Sequence, residues 1–224
     1  QTPEGLLSKG GFLPQLAGSV PYTAASIADK DLVFGWPSLR QILQQMPYPY
    51  VISNLTIDGK NPWPTHDYLI REVNGVKIGL FALLDPKPVN STHRLTGMRA
   101  TDPVATAKEM SERLKEKGVQ IVILLSSVGS PEKEGISDST IAEEAPNIDL
   151  ILSSNMDREN AETDKINKTL IVYPGSKLDS MARVRLTFDK NNQLTDVAFT
   201  DVLLTRDDYG EDSEIASATA ALRR

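Results

Sequence analysis

Two periods of apolar and polar positions run along the chain. From Tyr22 to Ser154, apolar runs of strand length are separated by stretches with helical spacing, whereas strand patterns dominate from Leu170 to Leu204. Tyr22–Ala28 (YTAASIA) reads as a short buried strand. Pro37 opens a helix with Leu39, Ile42, Leu43 and Met46 on one face, and Pro47 ends it. Tyr50–Ile57 (YVISNLTI) is β-branched and predicts one strand. The clearest hairpin joins His66–Val73 to Val76–Leu84 through Asn74-Gly75, the dipeptide favoured in a type I′ turn. Asp85–Ala100, rich in proline and polar residues, predicts a long loop.

Thr101 or Asp102 caps the next helix, with Pro103 in its first turn. Its inward stripe is Val104, Ala107, Met110 or Ser111, and Leu114, and Gly118 closes it. A strand over Val119–Ser126, a short helix near Ser137–Ala145 and a strand over Asp149–Ser154 follow. Leu170–Tyr173 is a further short strand. Met181–Asp189 and Gln193–Leu204 form a second hairpin around Asn191-Asn192. The first twenty residues read as loop-like, and the tail Ser213–Arg224 has helical composition. Strands alternating with helices, followed by a β hairpin, predict a layered α/β sandwich.

The 224 residues are ample for a sizeable core. A net charge of −6 and the lack of any Lys/Arg-rich run argue against nucleic acid as a partner. No apolar stretch approaches the roughly 18 residues of a membrane span, so no transmembrane segment is expected. The absence of cysteine excludes disulfides, thiolate metal sites and cysteine nucleophiles. Asn54-Leu-Thr56, Asn90-Ser-Thr92 and Asn167-Lys-Thr169 fit the glycosylation acceptor pattern, and Gln1 is a plausible residue after leader removal. Together they point to an extracytoplasmic protein.

Candidate chemistry is sparse. His66 and His93 are the only histidines and have no ligand spacing. Ser126, Ser127 and Ser130 lie at a strand end without a G-x-S-x-G elbow, and read as loop hydrogen-bonders. Gly129 and Gly135 form no phosphate-cradling loop. Trp36, Trp63, Tyr48 and Tyr50 cluster around proline-rich turns, either as packing or as an aromatic patch for a partner.

Two apolar runs end in polar loops, QIVILLSSVG at Gln120–Gly129 and DLILSSNMDR at Asp149–Arg158. They resemble the "vvLsHxG" and "DlIlgGHxH" stretches of calcineurin-like metallophosphoesterase domains in the 5′-nucleotidase/UDP-sugar hydrolase family. Five further segments are similar in the same order. Gly10-Gly11-Phe12-Leu13 with Leu16-Ala17 matches a "GGxaRLA" helix start, and YTAASIADKDLVFG at Tyr22–Gly35 aligns on "YDAVALGNHEFDYG". Val51–Leu55 matches "lsaNl" and Asp67–Leu84 matches "yxixevnGvKIGviGl". Tyr173–Asp189 resembles the late "vqpGxxgxxlgrvxLtfD".

The resemblance implies a layered α/β/β/α sandwich over residues 1–212, with its N-terminal strands missing or rearranged, and a linker helix or tail over 213–224. It also implies a two-ion phosphatase centre, and there this chain departs from the pattern. Asp29-Lys30-Asp31 stands at the Asn-His-Glu motif, Ser127 at the "LSH" histidine, and Asn155 and Asp157 at "GHxH". Hydroxyls are poor replacements for imidazole as ligands to Zn, Mn or Fe, and Lys30 sets a cation beside the ions. The expectation is a catalytically inactive domain without cofactor, acting as a structural or interaction subunit with other protein chains. Asp29, Asp31, Asn155 and Asp157 are the oxygen donors of a residual cation site if the strand ends converge, and one alternative is a divergent phosphohydrolase using a single divalent ion held by Asp29, Asn155 and Asp157. Another is a metal-free module that binds an anion or nucleotide at Lys30.

Overall fold

In a computed structural model, the described residues are 14, 17–92, 95, 97–128, 135–154, 158–175 and 179–222. Strand β1 (Ala25–Ser26) leads through a 3₁₀ turn over Asp29–Phe34 into helix α1 (Trp36–Leu43). The Tyr50–Ile57 run is two strands, β2 (Tyr50–Val51) and β3 (Leu55–Ile57), rather than the single one expected. Polar side chains interrupt it. Ser53 Oγ donates to the Asp67 carbonyl at 2.6 Å. Asn54, only 1% exposed, donates to the Leu84 and Thr101 carbonyls at 2.9 and 3.2 Å and accepts from the Leu84 N–H at 3.0 Å.

The expected hairpin is present as β4 (Tyr68–Val73) and β5 (Val76–Leu84). Asn74 and Gly75 have φ of 51° and 79°, as a type I′ turn demands. Asp85–Ala100 is not all loop. It holds helix α2 (Pro86–Ser91), capped by Asp85 through the Lys87 N–H at 2.9 Å, and strand β6 (Met98–Ala100), antiparallel to β3. An N-cap aspartate followed by proline at the first helical position explains the helix.

Helix α3 (Pro103–Glu116) is capped by Asp102, whose side chain accepts from the Ala105 N–H at 2.8 Å, and Gly118 follows with φ of 75°. Strand β7 (Ile121–Ser127), helix α4 (Asp138–Glu144) and strand β8 (Leu150–Ser153) fall where the spacing predicts. Strand β9 (Glu162–Ile166) is additional. It reads ETDKI, too polar for an apolar alternation, and pairs antiparallel with β10 (Thr169–Tyr173) at the sheet edge. The second hairpin is β11 (Ser180–Phe188) with β12 (Leu194–Leu203). Short helix α5 (Arg206–Tyr209), capped by Thr205, and helix α6 (Ser213–Leu222) follow.

The central sheet has the order β4-β5-β7-β8-β10-β9, with β5, β7, β8 and β10 parallel and antiparallel strands at both edges. On one face, Phe81, Leu83, Val122 and Leu124 pack beneath Ala107, Met110 and Leu114 of α3 and Ile141 of α4. Gly79 permits that approach, because a Cβ there would lie 3.0 Å from Leu114 and Val119 side-chain atoms. On the other face, Ala82 packs with Val51 and Leu69. Beyond it Ile27 and Ile52, which follow the parallel pair β1–β2, meet Leu39 and Leu43 of α1. The layers therefore run helix, sheet, strand pair, helix, the α/β/β/α order expected. The β11–β12 pair forms a separate two-stranded sheet.

Candidate functional site

In a parallel α/β sheet, ligands gather at the carboxyl ends of the strands, here the ends of β5, β7 and β8. Strands β7 and β8 each finish on a serine pair, and the register sets Ser126 opposite Ser153. Strand alternation turns Ser126 and Ser153 inward, 2% and 8% exposed, toward the α4 side. Both meet Asp138, the first residue of α4, which is 1% exposed. Ser153 Oγ donates to Asp138 Oδ2 at 2.6 Å, Ser126 Oγ donates to Oδ1, and the Val128 N–H donates to Ser126 Oγ at 3.2 Å. Burial pushes the Asp138 carboxyl above its ordinary value, and the two serine hydroxyls pull it back. Burial and the Asp138 charge likewise raise the Tyr173 phenol.

The outer members of the two pairs bond to each other, Ser154 Oγ donating to Ser127 Oγ at 3.1 Å. Ser127, the residue at the motif histidine, thus faces a hydroxyl. Nearby, Arg158 lies 4.0 Å from the Tyr173 ring centroid and is held by Glu162 at 2.8 Å and Asp164 at 2.6 Å. Its charge is already matched.

Asp29 and Lys30 sit in the 3₁₀ turn and line a cleft of about 520 Å³ whose opposite wall is Pro88, Val89 and Thr92 of the α2 region. Lys30 is exposed and has no ion pair among the described residues. Asp31 turns back on its own segment and accepts from the Ala28 N–H at 2.9 Å. Ser127 does not line this cleft. Asn155 and Asp157 lie outside the described residues, as do Ser130 and His93. His66 pairs through its backbone with Tyr50 and Ile52 at 2.9 Å each and belongs to the strand layer.

These residues do not fit a two-ion centre. The donors described at the ends of β7 and β8 are neutral hydroxyls already bonded to protein, the Asp138 carboxylate faces two of those serines, and Asp85, just beyond β5, accepts from the Lys87 N–H. Among the described residues, no group of three or more His, Cys, Asp or Glu is placed to hold a metal ion. No described helix is long and apolar enough to cross a membrane. The sequence reading missed Asp138, because an acidic residue at a helix start is ordinarily a solvated cap. The signal was present in two Ser-Ser dipeptides ending two apolar strands in the same phase. In the Asn54 sequon the asparagine side chain is spent on internal hydrogen bonds. At Asn167-Lys-Thr169 the threonine is 0% exposed and donates to the Ile148 carbonyl at 2.7 Å. The aromatic cluster is partly a surface: Tyr48 stacks on Tyr50 with centroids 5.8 Å apart, while Trp63 is 60% exposed beneath Arg40.

No family model matches the chain. A segment of 126 residues, 54% of the chain, is 30% identical to an NAD 5′-nucleotidase from Haemophilus influenzae, of whose length it covers 20%. A 5′-nucleotidase precursor from Thermus thermophilus superposes on 99% of the chain with a TM-score of 0.81 and 17% identity. The sulfate thiohydrolase SoxB from the same organism superposes on 99% with a TM-score of 0.85 and 17% identity. The chain spans 46% and 40% of those two structures, so it corresponds to less than half of each. The backbone is thus that of the calcineurin-like phosphoesterase sandwich found in 5′-nucleotidases.

Proposed function

We propose that this chain is a catalytically inactive member of the metallophosphoesterase fold that serves as a structural or interaction subunit. The observation that carries the reading is the Asp138–Ser126–Ser153 cluster. Its hydrogen bonds satisfy the inward-facing serines that end β7 and β8, and among the described residues no group of three or more His, Cys, Asp or Glu is placed to hold an ion. Lys30 adds to it, since a cation on the cleft wall opposes divalent ions nearby. The interaction role draws support from a sheet with unpaired strand edges, because such edges are templates for another chain.

Metal analysis after incubation with Mn or Zn and extensive dialysis tests the reading. The expected result is no stoichiometric ion and no metal-dependent phosphate release from a nucleotide. Two bound equivalents would overturn it. A second reading, anion binding at Lys30, is favoured by that side chain's unpaired charge on the cleft. It requires phosphate to raise the unfolding temperature of wild type in metal-free buffer and to leave Lys30→Glu unmoved.

A further inference from the structure

A second cavity, of about 410 Å³, opens where α1 ends and β2 begins. Gln44, Met46, Tyr48, Tyr50, Trp63 and Pro64 line it, and it shares no described lining residue with the cleft at Lys30. Its volume falls in the range of small-ligand sites, about 300–1,000 Å³. The local sequence explains the gathering of rings. Met46 and Tyr48 each precede a proline, which bars them from continuing α1 and keeps the chain extended. Residues two apart in extended chain share a face. Tyr48 and Tyr50 accordingly stack, with centroids 5.8 Å apart and planes at 25°, and Tyr22 sets its edge against Tyr48 at 5.0 Å.

The field in this cavity favours positive charge. Its lining side chains are uncharged, and the ring faces of Tyr48, Tyr50 and Trp63 are electron-rich. The carbonyl end of α1 abuts it: the Arg40, Ile42 and Leu43 carbonyls accept from the Gln44, Gln45 and Met46 N–H groups at 3.1, 2.9 and 3.3 Å. The helix dipole places its partial negative charge there. Burial, then the adjacent Tyr48 and beyond it the Asp31 charge, raise the Tyr50 phenol, which therefore stays protonated and adds no charge of its own.

One cation already uses these rings. The Arg40 guanidinium carbon lies 4.9 Å from the Trp63 ring centroid, a cation–π contact made from the rim by a side chain one turn before Gln44 on α1. Arg40 is exposed, so it is a weak internal occupant, and its charge opposes a second cation nearby. The lining also selects the kind of cation. It offers no carboxylate, so a metal ion or a primary ammonium would lose hydration that rings cannot replace. A quaternary ammonium has no N–H to satisfy and meets ring faces through its methyl groups.

We propose that the cavity between the end of α1 and Trp63 binds a compact organic cation of the quaternary ammonium class, seated on the rings of Tyr48, Tyr50 and Trp63. Arg40 is its internal competitor. The site stands at the start of β2 and is independent of whether the strand ends of the central sheet ever hold metal.

The test uses the 224-residue chain and choline chloride, with ionic strength held constant by sodium chloride. Saturation-transfer NMR on the ligand methyls is expected to show saturable binding. The neutral isostere, in which a tert-butyl group replaces trimethylammonium, should bind about tenfold more weakly. Trp63→Leu, at a position 60% exposed and so compatible with folding, should weaken choline about fivefold. Tyr48→Leu should act in the same direction, with the unfolding temperature read alongside. Arg40→Ala should tighten choline about threefold, because it frees the Trp63 face and removes the opposing charge. Binding of choline without capture by phosphatidylcholine vesicles assigns a free solute, and vesicle capture lost in Trp63→Leu assigns a lipid headgroup; both sustain the cation site. Lack of saturation by choline overturns it, as do equal binding of the isostere, an unaffected Trp63→Leu, and weaker binding by Arg40→Ala. Stoichiometric metal would remove the functional reading above without touching this result.

Discussion

At the carboxyl ends of β7 and β8 every described serine hydroxyl has a protein partner, whereas four successive outward backbone positions along β11 have none among the described residues. β7 and β8 are apolar runs without an exposed position, whereas β11 alternates half-buried and exposed residues. What separates them is cover: α4 seals the first, so each polar group beneath it must be paired, and solvent satisfies the second. Catalysis needs unsatisfied groups held in place. Among the described residues, the serine hydroxyls that end β7 and β8 are satisfied by internal bonds.

The contrast can be broken most forcefully at Asp138. Asp138→Ala strands two buried hydroxyls and opens a cavity, and should cost about 3 kcal/mol, read as a lower urea midpoint. Asp138→Asn keeps partners for both serines and removes the buried charge. Because the folded carboxyl holds its proton more tightly than the unfolded one, its contribution is favourable at low pH. It is lost as pH rises from the ordinary value of 3.8 through the higher folded value. The wild type should therefore lose stability relative to Asp138→Asn across that window and hold a constant difference above it. A wild type that gains over the variant with rising pH would contradict the burial argument.

Asn54→Ala removes three hydrogen bonds that tie the end of β5 to the start of α3 and should cost about 2 kcal/mol, measured by the same unfolding curve. On the ribbon, Val184→Ala should change stability by no more than about 0.5 kcal/mol, since the side chain is only half-covered. A loss there as large as at Asn54 would mean that the ribbon face is already sealed.

Much of the fold was legible. Asn74-Gly75 fixed one hairpin, Asp102-Pro103 one helix start, and two apolar runs the central parallel strands. β9 escaped because an edge strand facing water needs no apolar alternation, and ETDKI has little. The split at Ser53-Asn54 escaped because β-branched neighbours dominate the local pattern, and the bonds that break the strand come from Leu84, Thr101 and Asp67, far along the chain. The candidate site was half legible. Substitution of histidine by Ser127 and Lys30 could be read directly, but the pairing of Ser126 with Ser153 through Asp138 needs the strand register and the seat of α4.

Asn54 has a further consequence for how this molecule can be handled by a cell. A sugar on its amide nitrogen would need the space and the hydrogens now given to Leu84 and Thr101. Enzymatic tagging of that side chain and closure of the chain around it are mutually exclusive. In a glycosylating host, peptides carrying a modification at Asn54 would report the fraction of molecules that never closed.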